Sequence, residues 1–162
     1  MKLFHLVLLC ILSFPAVAGE RFCNVLAVKV YDGDTFTADI GGEITRIRLA
    51  NIDAPELDQP GGIVARDFLR NVILNKKVCV DKQNVDIYQR WIANVYVDGF
   101  LLNRLMILSG NAWVYVSYNK DFLLKKMEDR ARTRKLGIWG QDNPTAPWDW
   151  RKIKKQRPLE KL

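Results

Sequence analysis

The chain has 162 residues, 49% hydrophobic and 27% charged, which suits one globular domain and is too apolar for a disordered segment. Twenty-five Lys and Arg against 18 Asp and Glu give a net charge of +7, which favours an anionic partner such as nucleic acid or a membrane surface. The single histidine is His5.

Residues 1–18 read Met-Lys, an apolar run from Leu3 to Phe14, and Pro15-Ala-Val-Ala18. Charge, hydrophobic stretch and small-residue cleavage site in that order predict a secretory signal peptide, with export to the periplasm or the medium. The apolar run is short of the roughly 20 residues that a membrane anchor needs, and Leu9 before Cys10 argues against a lipid-modified cysteine. The mature chain then begins at Gly19 and holds no imidazole. That excludes Ser-His-Asp triads, Cys-His proteases, His-dependent nucleases and ordinary zinc hydrolases together. Carboxylates, arginines and hard metals are left to carry any chemistry.

Three short β-rich runs follow, Asn24 to Tyr31, Thr35 to Ile40 and Glu43 to Ala50, separated by Asp-Gly-Asp and Gly41-Gly42. They predict a meander. From Gly62 the apolar residues Val64, Ala65, Phe68, Leu69, Val72 and Ile73 make one helical stripe ending near Asn75. Lys77 to Asp81 and Trp91 to Val97 read as two more strands, and Phe100 to Leu108 as a buried helix stopped at Ser109-Gly110. A last helix spans about Asn119 to Leu136, with Phe122, Leu123, Met127 and Ala131 on its core face. Five strands with one helix after the third predict an α+β fold with a mainly β core, a five-stranded Greek-key barrel of the OB type with three packed helices. That domain is expected over residues 19–142.

Residues 19–119 carry 11 basic and 12 acidic side chains, whereas 120–162 carry 13 basic and 6 acidic. The positive charge is C-terminal, and 143–162 reads as a basic tail in which Trp148 and Trp150 precede Arg151-Lys-Ile-Lys-Lys-Gln-Arg157. Such a tail suits phosphate attraction and base stacking, or is simply a solvated charge run. Cys23 and Cys79 fall at the start of the first strand and within the fourth, neighbours where such a barrel closes, so an exported chain is expected to join them in a disulfide.

Three segments place acids and arginines where strand geometry lets them converge: Asp32-Gly33-Asp34-Thr35, Arg48 followed by Asp53-Ala54-Pro55-Glu56, and Asp86-Ile-Tyr88-Gln-Arg90. Taken singly they are a hairpin turn, a strand exit and a loop with an ion pair. Together with Val97-Asp98-Gly99, Ser109-Gly110 and Lys135-Leu-Gly-Ile-Trp139, the set resembles the staphylococcal nuclease (thermonuclease) family over about residues 24–142. The resemblance implies a calcium-dependent phosphodiesterase acting on DNA and RNA and leaving 3′-phosphate products. The partners expected are DNA and RNA, with single strands preferred, for a monomer with no membrane attachment after leader cleavage.

Carried over by motif, the resemblance assigns Asp34, Asp53 and the main-chain oxygen of Ala54 to Ca²⁺, a hard ion suited to oxygen ligands. Asp32 would shape the site from behind the ligands. Glu56 would take a proton from, or orient, the attacking water, while Arg48 and Arg90 would clamp phosphate oxygens. Tyr88 could bond phosphate, and Tyr115 and Tyr118 lie near the family's base-stacking position. Ala54 replaces the Thr of the staphylococcal form, the loop Leu57 to Ile63 is shorter, and Ile87 replaces a lysine near the terminal phosphate. The competing reading is a noncatalytic nucleic-acid-binding barrel, since the fold also serves that purpose. Such a module has no reason to keep three carboxylates facing a polyanion without a metal.

Overall fold

The computed structural model describes residues 20–115 and 122–156. The expected leader and Tyr118 lie outside them. Strands β1 (Glu20–Val30), β2 (Thr35–Ile40) and β3 (Glu43–Leu49) form the expected antiparallel meander. Their period-2 pattern turns Val25, Ala27, Phe36, Ala38, Ile47 and Leu49 inward, and all six are buried.

A two-residue strand β4 (Ile52–Asp53) precedes helix α1 (Gly62–Ile73), after which come β5 (Lys77–Val85) and β6 (Trp91–Val97). β5 lies between β1 and β6, and β6 runs parallel to β3 through Ile47–Trp91, Arg48–Ile92 and Leu49–Ala93. That parallel pairing closes five strands into the OB-type barrel. Ala65, Leu69 and Ile73 of α1, spaced by four, bury one stripe on its core.

The predicted helix at Phe100 starts two residues late, because Phe100–Leu101 instead form β7 against Val97 and Tyr96. Helix α2 (Leu102–Leu108) then buries Leu102, Met106 and Ile107. A short β8 (Trp113–Val114) pairs with β4. Helix α3 (Phe122–Thr133), a 3-10 turn at Gly137–Gly140 and helix α4 (Pro147–Gln156) complete the described residues. The sequence pattern predicts three helices; the fourth falls where it reads as a basic tail. A second apolar cluster of Trp113, Ala131, Ile138, Trp139 and Ala146 anchors that helix, with Trp148 packed on it.

Cys23 and Cys79 are joined, their Cα atoms 4.0 Å apart. A register shift in β1 between Phe22 and Val25 sets Cys23 beside β5. The bond lies between β1 and β5, not at the β3–β6 seam where the barrel closes. Because it spans 56 residues, replacing both cysteines by alanine is expected to cost about 4 kcal/mol in the chain-entropy account. Urea unfolding reads this as a lower midpoint; a midpoint equal to the unmodified protein's would overturn it.

Candidate active site

The Asp32-Gly33-Asp34 turn is pressed against the β4 exit. A Cβ on Gly33 would come within 2.6 Å of the Ala54 Cβ and 2.8 Å of that of Ala65, so only glycine allows the approach. The Asp32 carboxylate accepts from the Asp34 N–H at 3.0 Å and fixes the turn. Asp34, 3% exposed, then accepts from the Thr35 hydroxyl at 2.9 Å and from the Ala54 N–H at 2.8 Å.

Arg48 projects from β3 between the two acids, one Nη on Asp34 and the other on Asp53 at 2.7 Å. Burial pushes the Asp34 carboxyl up to about 7, the Arg48 charge opposes this, and the nearby Asp32 and Asp53 add to the rise. Burial works against the Arg48 charge too, but Asp34 and Asp53 outweigh it and hold the guanidinium above its usual range. Asp53 is 1% exposed and sits on β4, in register with Trp113 of β8.

Glu56 follows on a turn that α1 holds from below. A Cβ on Gly62 would meet the Glu56 carbonyl at 1.8 Å, another position that only glycine fills. The Glu56 N–H donates to Gln59 Oε1 at 3.2 Å, and buried Gln59 in turn donates to the Thr145 carbonyl at 2.7 Å. This tether ties the turn to the segment leading into α4.

Arg151 of α4 enters the same cleft. Its Nη1 donates to Glu56 Oε1 at 2.7 Å and its Nη2 to Asp53 Oδ2 at 2.7 Å, with Nη1 also 3.4 Å from Asp53 Oδ1. Burial disfavours its charge, but the bonds to Asp53 and Glu56 prevail and raise its pKa. Asp86 and Arg90 stand on the loop between β5 and β6, joined by two bonds of 2.8 and 2.7 Å. Burial works against the Asp86 charge, but the backbone N–H and side chain of Arg90, with the Tyr88 N–H, together outweigh it and lower its pKa.

These groups line one cleft of about 920 Å³, in which Asp32, Asp34, Arg48, Asp53, Ala54 and Glu56 are joined by Asp86, Ile87, Tyr88 and Arg90. Tyr88, Tyr115 and Arg151 line it as well. The structure therefore brings together every site residue expected from the sequence that falls within the described residues. Trp148 is not a free stacking platform, since its ring lies 5.8 Å from those of Trp113 and Tyr115. Among the described residues no three His, Cys, Asp or Glu side chains form a metal-binding group. What exists is a pair of buried carboxylates beside the Ala54 main chain.

Arg151 and Gln59 escape the sequence reading. The signal for Arg151 is the Trp148 three positions before it, which puts an aromatic anchor on the same helix face. Gln59 carries none.

Residues 46–141 match the family described as staphylococcal nuclease homologue. The chain is 38% identical over 146 residues to an uncharacterized endonuclease of Escherichia coli O157:H7, covering 90% of this chain and 94% of that one. It is 35% identical over 156 residues to the micrococcal nuclease of Shigella flexneri, covering 90% and 88%. An uncharacterized endonuclease of Haemophilus influenzae is 34% identical over 137 residues, covering 84% and 76%.

Proposed function

This chain belongs to the staphylococcal nuclease family and is a nuclease, and from that premise we propose a calcium-dependent enzyme that hydrolyses phosphodiester bonds of DNA and RNA and leaves 3′-phosphate products. The observation that carries the reading is the pairing of Asp34 and Asp53, both almost wholly buried, in a cleft that Arg48, Glu56 and Arg90 also line. Arg48 and Arg151 already share these carboxylates, and the acidic excess beside them favours a further cation.

The donor set fits Ca²⁺. It consists of oxygens only, with the two carboxylates and the Ala54 carbonyl as protein ligands, and no sulfur or imidazole to favour a softer ion. Asp32, Asp34, Asp53 and Glu56 outnumber Arg48 and Arg151, so the site keeps an acidic excess that a divalent ion offsets. When bound, calcium supplies positive charge beside the scissile phosphate and favours ionisation of the attacking water.

The protein's own groups do the rest. Glu56 accepts a proton from the water that attacks phosphorus, or orients that water, at a carboxylate whose backbone Gln59 tethers. Arg48 and Arg90 offer planar forks to phosphate oxygens as negative charge accumulates in the five-coordinate transition state. Arg90 is aimed by Asp86, which grips both its side chain and the backbone beneath it. Tyr88, largely exposed beside Arg90, would bond phosphate, and Tyr115, which also lines the cleft, would contact a base.

The open cleft and loop-borne Tyr88 favour a single strand, whose bases are accessible. The leader pattern supports export, and the protein is proposed to act as a monomer. Among the described residues no helix is long and apolar enough to cross a membrane.

Degradation of single-stranded DNA by the purified mature protein tests the reading. Cleavage is expected in Ca²⁺, abolished by EGTA, and roughly tenfold slower or worse in Mg²⁺, whose strict octahedral geometry suits a flexible oxygen site poorly. Equal rates in Mg²⁺, or cleavage that persists in EGTA, would remove calcium from the account.

A further inference from the structure

Arg151 lies beyond residue 141, where the family match ends, on a helix that buries only Pro147. Its guanidinium nonetheless bridges Asp53 and Glu56, 98 and 95 residues earlier in the chain. With Arg48 on Asp53 Oδ1 and Arg151 on Oδ2, both oxygens of this carboxylate are capped by arginine. A cation that binds Asp53 must take one of them.

The two arginines are unequally held. Arg48 rises from a barrel strand, is 20% exposed, and is fixed by Asp34, Asp53 and the Ile52 carbonyl. Arg151 is 40% exposed at the end of a long side chain, and its helix makes its other polar ties to a surface residue, Trp150 and Lys154 both meeting Asp58. Arg151 is the one that can yield.

We propose that Arg151 is a built-in competitor for the cation at Asp53, holding Asp53 and Glu56 together in the metal-free protein and setting the calcium concentration at which the site fills. The inference rests on the calcium reading above. Its physical content is a shared anchor: the guanidinium and the ion both draw on the Asp53 carboxylate and repel each other there, so by linkage each weakens the other. The competitor is positioned by Trp148, one helical turn earlier, whose ring packs on Trp113, the residue paired with Asp53 across β4 and β8. The strand paired with the ligand's own thus seats the helix that carries its rival.

Calcium titration calorimetry on the full mature chain, without substrate, tests this. Arg151→Gln should bind Ca²⁺ roughly 5- to 150-fold more tightly than the unmodified protein, the usual range for coupled sites. Arg151→Lys, which keeps a charge but loses the fork, should fall between them. Lys155→Gln, an exposed position on the same helix, removes one charge away from Asp53 and should shift affinity by less than about twofold, since surface charges are screened. Equal or weaker binding by Arg151→Gln, or an equal gain in Lys155→Gln, would overturn the proposal while leaving the calcium site standing. Should Arg151→Gln fail to fold, Arg151→Lys carries the test, with unchanged affinity as the contrary result. If no variant and no unmodified protein takes up calcium, the calcium reading fails and this inference with it.

Discussion

Glu56→Gln is expected to lower turnover by about 10²-fold or more, the usual scale for losing a positioned acid-base group. The substitution keeps shape and the oxygen that Arg151 Nη1 reaches at 2.7 Å, and the turn stays held through Gln59 and the Thr145 carbonyl. What disappears is an oxygen able to take a proton. Calcium affinity and KM should therefore stay within a few-fold of the unmodified protein, because Asp34 and Asp53 are untouched. Single-turnover cleavage of a short single-stranded oligonucleotide at saturating calcium reads the chemical step directly. Turnover within a few-fold of normal would remove Glu56 from the proton path; a loss confined to calcium affinity would make it a metal ligand.

The barrel was legible in the sequence because its inward residues alternate locally. Phe36 and Ala38, Ile47 and Leu49, and Ala93, Val95 and Val97 each stand out within a few positions, and β6 has the predicted bounds. β1 begins four residues earlier than Asn24 because Glu20 and Arg21 are satisfied by Lys82 and Asp81 across the sheet, partners some sixty positions away. β5 runs on to Val85 through Asp81 to Asn84, polar residues that pair with β6 yet show no strand alternation. β4 and β8 have only two residues each, too few for any period to register.

The same distinction governs the site. Its acids and Arg48 lie within short motifs whose turns are set by local chemistry, such as the Asp32 bond to Asp34. The role of α4 was not legible, since its helix buries Pro147 alone and is basic at its end. Its reach into the cleft depends on long-range contacts at Asp53, Glu56 and Asp58. A charge run on such a helix looks like solvated surface until the fold supplies its partners.

Arg48→Lys and Arg90→Lys separate a nuclease from a binding barrel, and each is expected to lower turnover by roughly 10²- to 10³-fold, the scale for removing one preorganised donor to transition-state charge. Arg48 spans Asp34 and Asp53 with its two terminal nitrogens, and Arg90 uses Nε and Nη2 together on Asp86. A lysine keeps the charge but has one nitrogen, so it can hold its carboxylate or reach a phosphate oxygen, not both in a fixed plane. Ground-state attraction for a polyanion depends on the charge, so single-strand binding should weaken only a few-fold, with the salt slope unchanged. The gap between the two losses is the signature of a group that acts in the transition state. Binding and cleavage should be measured for each variant at one salt and one calcium concentration. Parallel small losses in affinity, with no cleavage by the unmodified protein, would instead identify a barrel that binds nucleic acid and does not cut it.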